Sequence, residues 1–190
     1  MSRNHWWDWL KIVACLSMLI DHLRFVVPEW QWCVIPGRIA MPLFSFIATR
    51  NFMASSDRER YLLRLAPFAI GSEIPFVMLT GQHGNVLILF LFAFAAIYCS
   101  KVWPLIFVGI CPYGWSAIAA IWLFTKKPDK VSGFIGGAVL NPFPLGIISG
   151  MAALLPFDTC YVKPAPSFGR NWLLWFYPLH LIGLSIFSML

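Results

Sequence analysis

Charge is what this sequence has least of. Aspartate, glutamate, lysine and arginine make up 12% of its 190 residues, against about 25% in an ordinary soluble domain. With 59% of the chain hydrophobic, that shortage excludes a water-soluble globular class. Alternation is missing too. Apolar runs such as VLILFLFAFAAIYC are continuous, whereas a membrane barrel strand alternates over segments of about ten residues. Cys15, Cys33, Cys99, Cys111 and Cys160 form no CxxC or CxxH pair. They read as buried thiols rather than a zinc site, and no metal is expected. GxSxG, HExxH, the Walker loop and GxGxxG are all absent, so the hydrolase, metalloprotease and nucleotide-binding classes they mark have no support. The formal charge is +6, yet no basic stripe interleaved with aromatics lies on a soluble face. Its cations sit in short loops between apolar runs, as the positive-inside rule requires, and no nucleic-acid partner is expected. The first apolar run lacks a small-x-small site at its end and reads as a retained span, not a cleaved signal.

Ten tryptophans and seventeen phenylalanines suit membrane interfaces and helix packing in lipid. The expected fold is an all-α polytopic helical membrane protein, one integral membrane domain over residues 1–190, without internal repeat or low-complexity tract. Apolar stretches fall near 9–28, 37–54, 60–79, 85–99, 101–124, 131–157 and 171–190. Two of them are broken, by CPYGW and by NPFPLG. Counted whole, the stretches make about seven helices; counted as hairpins of half-membrane helices, about nine. The second count puts the TKKPDK loop on the same side as the amino terminus and the Arg50–Arg64 loop, as the positive-inside rule favours. Irregular or re-entrant helices are tolerated where protein or a cavity covers them. The amino terminus is then cytoplasmic, with the bilayer itself as a partner.

The first stretch, WLKIVACLSMLIDHLRFVVP, has the length of a span but carries Lys11, Asp21, His22 and Arg24. Each ionisable group at membrane depth costs on the order of 3 kcal/mol, so such groups usually face protein or water and do something there. Eleven residues separate Lys11 from His22, about three turns and some 16 Å of helix, which places both on one face. Asp21 is turned about 100° away and does not point at the partners of His22. His22 titrates near neutrality and suits a general base; the plainer alternative is a histidine hydrogen-bonded between helices. Glu73, among Ser72, Pro67 and Pro75, needs a cation. Arg38 in a neighbouring span is the expected partner, with a structural ion pair as the alternative. Tyr177 and His180 lie one turn apart on one face of the last span, lining a cavity or capping a helix at the interface. Arg50, Arg58, Arg60 and Arg64 cluster on the expected cytoplasmic side, as topology signal and headgroup contact or as a fork for a phosphorylated ligand. His22 with His180 also keeps open a paired-histidine haem.

The blocks LKIVACLSMLIDH, GRIAMPLFSFI, YLLRLAPFAIGSEIPF and WFYPLHL, in that order, resemble the TraX family, whose namesake is the pilin acetylase of conjugative plasmids. The family is similar in turn to membrane acyltransferases in which a basic or polar residue precedes a catalytic histidine by eleven positions. Lys11 and His22 match that spacing, with lysine where many relatives carry arginine. The resemblance implies an acetyl-CoA-dependent N-acetyltransferase with a central acyl-transfer tunnel, acting on the terminal amine of a pilin. Lys11, Arg38, Arg50, Arg58, Arg60 and Arg64 would hold the cofactor or fix the pocket. His22, with Asp21 and Glu73 beside it, would serve catalysis, by direct transfer or through an acetyl-imidazole. Tyr177 or His180 would donate to the oxyanion. Two other classes compete: an ion- or proton-coupled membrane transporter using Asp21, His22 and Glu73, and a non-enzymatic pilin assembly factor.

Overall fold

The computed structural model describes residues 5–101, 104, 111, 113–126, 129–157 and 172–189. Among the described residues every regular element is helical. The opening helix α1, His5–Val26, holds 22 residues. After a 3-10 turn at Gln31–Cys33 come α2, Val34–Gly37, and α3, Ala40–Ala54. Next are α4, Arg58–Gly71, and α5, Glu73–Thr80, then α6, Val86–Cys99. The remaining helices are α7, Gly114–Lys126; α8, Lys130–Ala138; α9, Leu145–Ala152; and α10, Trp172–Phe187.

Helix boundaries follow local chemistry. Asp57 caps α4 through the Arg60 amide at 2.8 Å, and Asp129 caps α8 through Ser132 at 2.7 Å. Asn85 caps α6 by accepting from the amides of Leu87 and Ile88 at 2.9 and 3.2 Å. Each occupies a donor that would otherwise be orphaned. Between α4 and α5 the helix breaks at Ser72, because Pro75 has no N–H to return to the Gly71 carbonyl and its ring crowds that turn. The Ser72 hydroxyl donates to the Phe68 carbonyl at the break. α5 ends at Gly81 with φ of 68°, a left-handed cap that suits glycine.

Two helical stretches, Gln31–Ala54 and Arg58–Thr80, are long and apolar enough to cross a membrane, with 24 and 23 residues. Helix α1 is nearly as long but carries Asp8, Lys11, Asp21 and Arg24. The stretch at 131–157 is a hairpin of short helices, α8 and α9. At about 1.5 Å per residue neither reaches the ~30 Å of a bilayer core, so the hairpin alternative describes this part of the chain. The corresponding question for 101–124 is only half visible: α7 starts after the CPYGW break, while 105–110 and 112, like the loop at 158–171, lie outside the described residues.

Helix α1 is the hub, packed on α2, α3 and α10, while α10 also packs on α4 and α5. The core beside it is aromatic. Phe52 stacks on Phe94 at 4.6 Å, and Phe46 meets Phe124 and Phe157 edge-on. The α8–α9 hairpin closes through glycine: a Cβ at Gly137 would collide with the Ser149 carbonyl, the small-residue contact that lets helix backbones approach. Ser149 in turn donates to the backbone carbonyl of Arg38 at 3.1 Å, which ties the hairpin to the start of α3.

Candidate functional site

Two histidines 158 positions apart meet between α1 and α10: Nε2 of His180 lies 3.2 Å from Nδ1 of His22, and both rings are buried. His180 Nδ1 is 3.0 Å from the Phe176 carbonyl, four residues back on its own helix. A carbonyl only accepts, so Nδ1 of His180 carries the proton and its Nε2, in the neutral ring, accepts. The donor in the shared bond is therefore Nδ1–H of His22, which leaves Nε2 of His22 as its basic nitrogen. The Met18 carbonyl, in the matching position on α1, also interacts with the His22 ring. Phe176 stacks on the His180 ring at 4.9 Å and holds its plane. The arrangement does not suit a haem held between the two rings, since one nitrogen of each lies 3.2 Å from the other, with no room for iron between them.

His22 lines a cavity of about 330 Å³ at the carboxyl end of α1. Apolar side chains, among them Met41, Phe44 and Phe76, make much of its wall. Its charged part is Asp21, Arg24 and Arg38, with the Tyr113 hydroxyl. Asp21 Oδ1 is 3.4 Å from Arg24 Nε, and Asp21 interacts electrostatically with Arg38 as well. It packs against Gly37, where a Cβ would strike the carboxylate. As its angular position on α1 implies, Asp21 serves neighbouring cations and not His22. Arg38 donates from Nη1 to the Tyr113 hydroxyl at 3.1 Å. Tyr113 has a φ of 68°, a backbone conformation that costs a bulky residue on the order of 1–3 kcal/mol and persists only where its surroundings enforce it.

Glu73 is elsewhere. Its carboxylate accepts from the amides of Gly84 and Asn85 at 2.7 and 3.0 Å and from the Asn85 side chain at 2.9 Å, with His83 at 3.6 Å. It clasps the loop before α6 and does not meet Arg38, because helix α5 starts at Glu73 and turns it toward that loop.

A second cavity, of about 450 Å³, is lined by Lys11, Asn51, Tyr61 and Arg64 together with apolar residues of α3, α6 and α10. Met18, Phe44, Val86 and Tyr177 line both cavities. The two chambers thus share these four residues as a common wall, and a continuous tunnel is not shown. Lys11 faces the second chamber and His22 the first, and Lys11 pairs with Asp8 at 3.1 Å. Of the four clustered arginines, only Arg64 lines this chamber, and its Nε is buried without a partner. Arg50 lies over the Trp7 ring at 3.9 Å and Arg58 over Phe52 at 5.6 Å. Arg60 is exposed and pairs with Asp57 at 3.4 Å.

Tyr177 sits in the common wall, and its hydroxyl accepts from the Val86 amide at 3.4 Å. Its own proton is not used in that bond. Of the two side chains expected to donate to an oxyanion, Tyr177 donates in no hydrogen bond found among the described residues, whereas both nitrogens of His180 are engaged. Sequence reasoning missed Tyr113 and Arg24 as members of the first chamber. The glycine after Tyr113, within CPYGW, marks a turn but says nothing of what the turn touches.

The family whose description is TraX protein matches residues 7–104, which spans α1 to α6 and includes His22, Arg38, Arg64 and Glu73. Over 228 aligned positions the chain is 25% identical to a Dichelobacter nodosus protein described as "Probable fimbrial assembly protein FimC, serogroup H1", covering 90% of this chain and 91% of that one. It is 42% identical over 52 residues to the uncharacterized protein RP591 of Rickettsia prowazekii (strain Madrid E), 27% of this chain and 21% of that one. No solved structure matches it. The family match covers more than half of the chain, from the charged first helix through the cap of α6, and the chain belongs to the TraX family.

Proposed function

We propose that this protein is a membrane-embedded acetyltransferase that moves acetyl from acetyl-CoA to the terminal amine of a pilin-type subunit. The observation that carries the reading is the hydrogen-bonded His22–His180 pair. It presents a basic, buried imidazole nitrogen to one chamber, one wall away from a second chamber lined by Lys11 and Arg64. Support for the fimbrial setting comes from the TraX membership and from the name of the Dichelobacter nodosus relative.

Acetyl-CoA is anionic and cytoplasmic. Lys11 and Arg64 are the cations placed to receive its phosphates in the larger chamber, with the amino terminus on the cytoplasmic side of the inner membrane. The thioester reaches the common wall, and the acceptor amine enters the smaller chamber. Nε2 of His22 takes a proton from the amine as its nitrogen bonds to the acetyl carbon. Tyr177 donates to the oxyanion. The C–S bond then breaks, and the thiolate leaves with the proton held by His22. His180 accepts from Nδ1 of His22 throughout and stabilises the imidazolium. Other helices beyond the two long apolar ones, α6 and α10 among them, complete a multi-pass bundle, and the α8–α9 hairpin stays within one leaflet.

The experiment is transfer of labelled acetyl from acetyl-CoA to a co-reconstituted pilin by the purified protein, read as a gain of one acetyl group in intact mass. Loss of the product in His22→Ala, with insertion unchanged, is the expected result. Binding of pilin without any acetyl transfer by the parent protein would instead favour a non-enzymatic assembly factor.

A further inference from the structure

Among the described residues that line it, the smaller chamber holds more positive charge than is neutralised. Arg24 and Arg38 line it with a single carboxylate, Asp21, and Glu73 is occupied by the loop before α6. The two arginines differ in how fully they are used. Arg24 is committed: its Nε reaches both the Asp21 carbonyl at 3.1 Å and the Asp21 carboxylate at 3.4 Å, and its guanidinium lies over Phe25 at 4.4 Å. Arg38 has five N–H donors, and one hydrogen bond, from Nη1 to Tyr113, is found for them among the described residues. Its Nε is buried without a hydrogen-bond partner, as is the neighbouring Asp21 Oδ1, so the edge it forms with Nη2, the one that matches two oxygens side by side, shows no hydrogen bond among the described residues. The backbone at Arg38 is held from behind by Ser149, and Tyr113 is held in a left-handed conformation with its hydroxyl on Arg38. An arginine needed only to balance Asp21 calls for neither support.

We infer that the smaller chamber is a site for a ligand with an apolar body and one singly charged oxyanion, a carboxylate or a phosphodiester, bound by Arg38. The apolar wall of Met41, Phe44 and Phe76 takes the body, and the one excess cation sets the charge. On the acetyl-transfer reading, on which this last step rests, the ligand is the acceptor: its oxyanion sits on Arg38 and its nucleophile faces His22. An acidic group close to the accepting amine then becomes a condition of being a good substrate.

The test is a ligand-observed NMR titration of the full chain in phosphatidylcholine nanodiscs, with hexanoate and hexylammonium as a matched pair. Hexanoate is expected to bind at least tenfold more tightly than hexylammonium. Arg38→Gln should weaken hexanoate at least tenfold, and Arg38→Lys, which keeps charge but not the fork, by an intermediate amount. An unchanged thermal midpoint in both variants shows that the fold survives. Equal binding of the two probes, or hexanoate binding unchanged in Arg38→Gln, overturns the site. Discs containing phosphatidylglycerol separate the sources: displacement of hexanoate identifies an anionic lipid, whose phosphodiester no choline cation neutralises, as occupant, and unchanged binding identifies a separate carboxylate ligand. The titration needs no turnover. Absence of acetyl transfer with hexanoate still bound would remove the transferase reading and leave the oxyanion site standing.

Discussion

Nε2 of His180 accepts from Nδ1 of His22 across 3.2 Å, joining the last described helix to the first. The bond orients the imidazole of α1 and selects its tautomer, because the Phe176 carbonyl fixes the proton of His180 on the opposite nitrogen. A change at either ring is therefore felt at the other.

On the acetyl-transfer proposal, His22→Ala removes the base. General acid–base catalysis is worth about 10²–10⁴-fold, so acetyl transfer should fall by that factor while membrane insertion and thermal midpoint change little. Rates measured with saturating acetyl-CoA check this, and a variant with parental activity would end the assignment of His22.

His180 acts through His22. Misplacing a catalytic group by about 1 Å can cost 10²-fold, so His180→Phe should lower kcat by about that amount with KM for both substrates nearly unchanged. Glutamine at the same position can still accept from Nδ1 of His22, and His180→Gln should recover some of the loss. A rise in KM alone, or no difference between the two variants, would mean that His180 only fills space.

The arginines separate. Arg64 lines the larger chamber, whereas Arg60 is exposed and paired with Asp57. Arg64→Gln should raise the KM for acetyl-CoA several-fold and leave that of the acceptor alone; Arg60→Gln should change neither by more than about twofold, as surface ion pairs contribute little. Kinetics with each substrate varied in turn distinguish them. Equal effects of the two substitutions would return the whole cluster to a topological role.

Glu73 and Asn85 are predicted to act on stability. Glu73→Gln puts an amide donor where three donors converge, and an unsatisfied buried group costs about 1–3 kcal/mol. The variant should lose thermal midpoint accordingly. A catalytic Glu73 would instead lose activity with stability intact.

Gly37→Ala should destabilise by about 1–3 kcal/mol, the usual cost of overpacking, because the new methyl meets the Asp21 carboxylate. Denaturation in detergent measures it, and a neutral result would show that Asp21 can move away.

Much of the site was legible in the chain. The charges in WLKIVACLSMLIDHLRFVVP singled out His22, and helical geometry alone set Lys11 on its face and turned Asp21 away. The turn of Asp21 holds because it depends on one helix, whereas Lys11 lines a different cavity from His22. The partner of Glu73 was not legible: the expected pairing with Arg38 is not formed, since it depended on where the break at Ser72 would aim a side chain. Nor was the division among Arg50, Arg58, Arg60 and Arg64, which share a loop and a helix but differ in what lies opposite each one.

The fold divides the same way. Composition and continuous apolar runs determine a helical protein, because backbone polar groups in such segments must be satisfied within the segment. Proline, asparagine and aspartate at the breaks determine where helices stop, since capping and a missing N–H are local. Only the tertiary structure decided that the last helix would set His180 against His22 and that Tyr113 would reach Arg38. It alone decided that Met18, Phe44, Val86 and Tyr177 would form the wall between the chambers. Those contacts join positions far apart in the chain, and their geometry comes from how α1, α3 and α10 pack, which no single segment encodes.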